Sequence, residues 1–314
     1  RGVLVLRPGL CRDGLFVSPA APPTVQLMPH IIHLHWPEKL AVWHGVEGAL
    51  AVLRDFLERG TRIVQTVHNL QAHEPSTELT GYLREVDRLS SGVHFFSAEH
   101  ELQAREARPT LPQLRTLMLH PRFPTFVPLQ QSSTAPGNEV ILGCFGRIRS
   151  YKRFLTFARM FGQLAKPSFR LLIAGAADST KTHTELQLLA RTYSQIEYLS
   201  GFAPEQNFLE LLSRVQWVAL PYRQVFSSGL LIAATQAGRR VLAPTPTGVD
   251  AYDLRGMVEV VDPWNDVAAV HRWMEVARTP TPTVSSSALP TWDDAASKLI
   301  DFYAEVIAQG RVRV

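Results

Sequence analysis

The chain has 314 residues, 46% of them hydrophobic and 19% charged, with a formal net charge of +4. That composition excludes bulk disorder and allows two domains of ordinary size, while so small a positive balance suits polyphosphate ligands or an anionic membrane surface and excludes the concentrated basic stripe of a nucleic-acid binder. The two cysteines, Cys11 and Cys144, exclude a disulfide framework and a four-cysteine zinc site, and no apolar run reaches the roughly 18 residues of a membrane span.

A first strand is expected at 3–6, in a short apolar run without the cleavage site of a signal peptide. The stretch from Pro8 to Pro29 is loop-like where a parallel crossover normally carries a helix. With no initiator Met at position 1, the N-terminal domain is read as incomplete near its start. Further strands are expected at 31–35, 62–67 and 94–97, with helical periodicity over 41–59 and 80–89. Pro121, Pro124, Pro128 and Pro136, together with Ser132-Ser133-Thr134, then interrupt any periodicity.

The second half alternates more clearly. Strands are expected at 140–145, 170–174, 196–199, 217–220 and 241–243, and helices at 154–164, 184–193, 205–213 and 230–237. A Pro/Thr/Ser-rich loop at 279–290 precedes a last helix at 293–307. Strand–helix alternation of this kind predicts an α/β protein with two Rossmann-like, doubly wound domains. Their expected bounds are 1–130 and 131–290, followed by a closing helix in 291–314 that packs back on the first domain.

Three clusters carry candidate chemistry. Gly143-Cys144-Phe145-Gly146-Arg147 follows a strand and precedes a helix, with Lys152 five residues after Arg147. Glycines let backbone approach a phosphate, and Arg147 and Lys152 would neutralise a diphosphate; a tight turn with two surface cations reads equally from these residues. Leu220-Pro221-Tyr222-Arg223 with Phe226-Ser227-Ser228-Gly229 closes a strand and opens a helix, either as a second anion cradle or as plain capping. In the N-terminal half, His33-Leu34-His35-Trp36-Pro37-Glu38 and His68-Asn69-Leu70-Gln71-Ala72-His73-Glu74 each follow an apolar run. Glu38, His68, His73 and Glu74 are candidate bases or sugar ligands, or members of a structural network. His33 and His35 read as packing, and no third ligand has the spacing of a metal site. Trp36 and Trp43 are candidates for contact with a lipid surface, Trp36 reading also as a core residue.

Taken in order, GRIRSYKR, LLIAGAA and YLSGFAPEQNFLELLSRVQWVALPYRQVFSSGLLIAATQAGRRVLAPTPTG resemble the donor domain of the GT-B "group 1" glycosyltransferases. The ending from Trp292-Asp293-Asp294 to Tyr303 is similar to the tryptophan-led closing helix of that family. HLHWPE, TVHNLQAHE (Thr66 to Glu74) and PYR…SSG resemble its GDP-mannose:glycolipid β-mannosyltransferase subgroup of exopolysaccharide assembly.

The resemblance implies two domains facing a cleft and metal-independent hexosyl transfer, with no cofactor beyond the substrate nucleotide sugar. It implies a donor site at Gly146, Arg147, Lys152, Gly201, Phe202, Tyr222, Arg223, Ser227, Ser228 and Gly229, with nucleobase recognition near Gly201-Phe202-Ala203. Catalysis falls to Glu74, Glu38 and His68, the residue matching His68 lying near the donor sugar in the wider family. The implied partners are a nucleotide-sugar donor, a glycan acceptor linked to lipid and the cytoplasmic surface of a bacterial inner membrane, with no nucleic acid. Mannose from GDP-mannose leads, and a UDP-hexose is the alternative. Two glutamates usual in the wider family fall on Val225 and Ala233 here. That departure weakens a retaining mechanism, favours inversion by a carboxylate base, and motivates a rival reading as a non-catalytic binder of nucleotide sugar or glycan.

Overall fold

Parallel strands, the central ones buried on both faces, build two separate sheets, each with its own helices. The computed structural model describes residues 3–6, 29–70, 76–124, 129, 139–201, 205–223, 228–245, 252–254, 256–262, 264–282 and 289–310. Two units result: Arg1–Leu119 with Thr291–Val314, and His120–Pro290.

The first unit runs β1 (Val3–Leu6), β2 (Ile31–His35), α1 (Glu38–Glu58), β3 (Arg62–Thr66), α2 (Thr77–Leu89), β4 (Gly92–Phe95), α3 (Ala98–Ala107) and β5 (Arg115–Leu117). The strands pair in parallel in chain order, β1 to β5. Alternation within β2 and β3 sorts the core: Ile32, Leu34 and Ile63 pack with Leu50 and Leu53 of α1 and Tyr82 and Val86 of α2. Each such buried side chain contributes about 1.5–3 kcal/mol, against about 0–1 kcal/mol for an exposed pair such as Arg59–Asp55. Helix α1 begins earlier than its periodicity indicates and bends at Gly45 (φ 71, ψ 163). Helix α2 starts at a Ser76 cap whose Oγ accepts the Leu79 N–H.

The second unit runs β6 (Val140–Phe145), α4 (Phe154–Leu164), β7 (Phe169–Gly175), α5 (Thr180–Thr192), β8 (Ile196–Ser200), α6 (Glu205–Ser213), β9 (Trp217–Ala219), α7 (Gly229–Gln236), β10 (Arg240–Ala243), β11 (Val258–Val260) and α8 (Asp266–Val276). Its all-parallel sheet has the order β11-β10-β9-β6-β7-β8. The chain builds outward from β6 to β8, then returns to the other side of β6 with β9. The reversal leaves a crevice outside the carboxyl ends of β6 and β9, where doubly wound sheets bind ligands.

The last helix, α9 (Trp292–Gly310), belongs to the first unit. Thr291 and Asp294 cap it reciprocally: each N–H donates to the other's side chain, at 2.8 and 3.1 Å. Phe302 and Val306 pack on Ile31 and Val64, the sheet face opposite α1 and α2. A Cβ on Gly92 would lie 2.8 Å from the Phe302 ring, so β4 carries glycine where the helix crosses it. No described helix is long and apolar enough to cross a membrane.

Four elements are absent from the sequence reading. Helix α3 buries only His100 and Ala104, too narrow a face to give an apolar period. Strands β5 and β11 have three residues each. Helix α8 is capped by Asn265, whose Oδ1 accepts the Val267 and Ala268 N–H groups, and it buries Ala269, Val270 and Trp273.

Candidate active site

Three loops at the carboxyl ends of β6, β7 and β8 are knitted by backbone. Gly146 turns away from β6 at φ 101 and its N–H donates to the Ala174 carbonyl (3.0 Å). The Gly201 N–H donates to Gly175 (3.3 Å), with Gly201 at φ 117. A Cβ on Gly175 would stand 2.0 Å from the Gly146 carbonyl oxygen, so the loops meet this closely only with glycine there.

The β6 loop continues through a 3₁₀ turn, Ser150–Lys152, and meets the β9 loop across the crevice. The Arg223 N–H donates to the Tyr151 carbonyl (3.2 Å), and the Tyr151 and Tyr222 rings meet edge to face at 6.1 Å. Lys152 Nζ lies 5.2 Å from the Tyr222 ring centroid and 5.8 Å from that of Phe154. Burial in this apolar setting lowers the Lys152 amine to about 8 and pushes the Tyr222 phenol well above its ordinary value. An anion bound here would raise the Lys152 amine again. Arg147 and Arg223 are exposed, whereas Arg153 is committed to Asp266 at 2.7 Å.

Helix α7 opens beside this crevice. The Ser228 Oγ accepts the Leu231 N–H (3.4 Å), and Gly229 is the first helical residue. A Cβ on Gly229 would lie 3.4 Å from Phe123 and 3.7 Å from His120 Nε2. Gln236 of α7 fixes that segment by accepting the Phe123 N–H (2.8 Å) and donating to the Phe123 carbonyl (3.2 Å). His120 and Phe123 thus stand at the head of α7, although their sequence reads as part of a linker. Ala233, at one of the departures, is buried within α7.

In the first unit, Glu38 and His68 line one small pocket, with Trp36, Thr66, Asn69 and Arg108 among the other walls. Glu38 is the first residue of α1 and nearly fully buried, and burial raises its carboxyl. Arg108 grips buried Asp87 with two guanidinium nitrogens and donates a further bond to Gln65 (2.9 Å). The Gln65 amide returns a bond to Asp87 (3.0 Å), so the ion pair is enclosed by matched partners.

His33 and His35 are more than packing residues. The Met118 carbonyl can only accept, so His94 Nε2–H donates to it (2.9 Å). With neutral rings, the direction then propagates: Thr66 Oγ–H donates to His94 Nδ1 (3.0 Å), and His33 Nε2–H to Thr66 Oγ (2.8 Å). Tyr303 of α9 donates in turn to His33 Nδ1 (2.5 Å). Burial holds His33 well below the usual imidazole value, consistent with the neutral ring. His35 Nδ1 shares a hydrogen bond with His68 Nε2 (2.8 Å), and burial likewise lowers His68. The Trp36 indole stacks on His68 at 3.9 Å and 12°, from a backbone with φ 54. For a bulky residue that conformation costs about 1–3 kcal/mol.

The structure therefore brings Gly146, Lys152, Tyr222 and Arg223 together in the second unit, with Arg147, Gly201, Ser228 and Gly229 on the loops and helix start around them. It joins Glu38 and His68 in the first. Glu74, Phe202 and Ser227 lie outside the described residues, as do His73, Val225 and Cys11. Cys144 is a free, fully buried thiol that burial pushes up, unsuited to nucleophilic chemistry.

Two parallel-sheet α/β units, the second with a cationic crevice at its strand reversal, make this the GT-B fold of glycosyltransferases. The chain superposes on the sucrose-phosphate synthase of Thermosynechococcus elongatus with a TM-score of 0.70 and 17% identity, covering 90% of this chain and 74% of that one. It superposes on Anabaena HepE, in complex with UDP and glucose, with a TM-score of 0.60 and 14% identity over 90% and 76%. In sequence it resembles the GDP-mannose:glycolipid 4-beta-D-mannosyltransferase of Xanthomonas campestris pv. campestris, 29% identical over 223 residues. That match covers 68% of this chain and 61% of the relative. No protein-family model matches.

Proposed function

We propose that the chain is a glycosyltransferase that moves a hexose, mannose from GDP-mannose in the leading reading, onto a lipid-linked glycan. The observation that carries this is the strand reversal between β6 and β9, where Arg147 and Lys152 stand on one loop with a turn made close by Gly146 and Gly175. A departing nucleoside diphosphate develops charge as the bond from sugar C1 to phosphate oxygen breaks. Preorganised cations at that oxygen lower the barrier, and a diphosphate bound beside Lys152 would hold its amine, lowered by burial to about 8, in the charged form.

The first unit contributes the acceptor side. Glu38 takes the proton from the attacking acceptor hydroxyl as the new bond to C1 forms; burial, which raises its carboxyl, makes it a better base than an exposed glutamate. The relative's name describes a β-mannosyl product, and forming such a product from an α-linked donor would take one inverting displacement and one such base. Glu74 is the second candidate for this proton. Val42 and Trp43, exposed side by side on the first turns of α1, support docking of the acceptor's lipid at an anionic inner-membrane surface.

Calorimetric titration with GDP and UDP tests the donor assignment. Preference for GDP supports mannose, and preference for UDP, the nucleotide bound by HepE, replaces it with a UDP-hexose. Binding of either nucleotide without turnover favours the rival reading as a non-catalytic binder, motivated by Ala233. Binding of neither refutes the donor site.

A further inference from the structure

One strand end holds a single imidazole from two directions. His35 engages the edge of His68 through the 2.8 Å bond between Nδ1 and Nε2, and Trp36 covers its face at 3.9 Å. Phe96 approaches the same ring at 5.4 Å. With Nε2 occupied, the remaining ring nitrogen of His68 is Nδ1, which has no hydrogen-bond partner among the described residues. His68 and Trp36 line the pocket that contains Glu38.

The backbone of Trp36 adds an independent sign. Packing alone does not call for a tryptophan at φ 54, where glycine or asparagine fits without strain. Strain of this kind persists where the surroundings over-determine it, and it concentrates at functional sites. The His35 and His33 rings also touch at 4.6 Å with a 33° tilt, which ties the holder to the Tyr303–His33–Thr66–His94 chain and so to α9.

We propose that His35 and Trp36 are positioning residues that fix the His68 ring, keeping its Nδ1 for a hydroxyl of the sugar substrate. The inference rests on the glycosyltransferase reading. The tautomer of His35 sets the role: if His35 donates to His68, Nδ1 of His68 carries a proton to give the hydroxyl; if His35 accepts, Nδ1 offers a lone pair. In both cases a ring free to turn would lose the geometry.

Transfer kinetics, thermal midpoints and nitrogen NMR of the His68 ring test this together. His35→Phe and Trp36→Gly are expected to lower kcat about 10-fold or more with donor Kd within about 2-fold, because misplacement of one group is felt in the transition state. Trp36→Phe, which keeps a stacking face, should recover most of the loss. The double variant His35→Phe/His68→Phe should be no slower than His68→Phe alone. Trp36→Gly should keep or raise the thermal midpoint while losing activity, an outcome that a merely structural tryptophan would not give. Multiplying losses in the double variant, or intact kcat in Trp36→Gly, overturns the proposal. The NMR arm is independent of turnover: His35→Phe should convert one fixed His68 tautomer into a mixture. An unchanged spectrum refutes the holder even if transfer is confirmed, whereas a changed spectrum in a chain without transfer refutes only the glycosyltransferase reading.

Discussion

Replacing Lys152 by Met removes a charge that burial already disfavours. The displacement of its amine from 10.5 to about 8 corresponds to roughly 3 kcal/mol at 1.36 kcal/mol per pH unit. The group is a base whose folded value is depressed, so the penalty is felt in full below pH 8, fades as pH rises from 8 to 10.5, and is absent above. Lys152→Met should therefore stabilise the ligand-free protein at pH 7 by up to roughly 3 kcal/mol and flatten its stability between pH 8 and 10.5. A bound diphosphate would return the amine toward its ordinary value. At pH 8 about half the molecules would then take up a proton on binding, and affinity would fall about 10-fold from pH 7 to pH 9. Calorimetry in two buffers of different ionisation enthalpy reads the proton uptake directly, and urea unfolding against pH reads the stability. Binding without proton uptake, with normal affinity in Lys152→Met, would refute the placement of Lys152 on the diphosphate.

Arg147 is exposed, so Arg147→Ala should weaken nucleotide binding about 10- to 100-fold with an unchanged thermal midpoint, by calorimetry and thermal unfolding. Glu38→Gln should spare donor binding, cut transfer, and, by removing a carboxylate that burial disfavours, raise stability at neutral pH; in the parent protein transfer should fall with acidification at a pH above the ordinary glutamate range, as a pH–rate profile would show. Asp87→Ala strands the buried Arg108 guanidinium and should cost about 3–5 kcal/mol in urea unfolding. Transfer should proceed in a chelator, since Arg147 and Lys152 supply the positive charge; activity lost to the chelator and restored by Mg2+ would contradict that.

Most of the second sheet was legible because β6, β7, β9 and β10 are largely apolar runs and its turns carry glycines that geometry demands, whereas β11 has only three residues. Gly146 and Arg147 announce the end of β6, and Ser228 announces α7. What the sequence conceals is assembled from distant pieces. His33 finds its partners on β3 and α9, so a strand pattern alone reads it as packing. His120 and Phe123 sit in a proline-rich segment whose order depends on one side chain, Gln236, more than a hundred positions away. Trp36 gives no hint of a positive φ, because only the fold imposes it. Helix α8 is the opposite case: its Asn265 cap and the spacing of Ala269, Val270 and Trp273 were present to be read.

The most direct test of the account follows labelled mannose from GDP-mannose into a bacterial lipid-linked oligosaccharide fraction, with GDP release measured in parallel for the parent chain, Arg147→Ala and Glu38→Gln. The account predicts labelled lipid product and stoichiometric GDP from the parent, little of either from both variants, and retained GDP binding in Glu38→Gln. GDP binding by the parent with neither labelled product nor GDP release, from GDP-mannose or from a UDP-hexose tested in the same way, would contradict it.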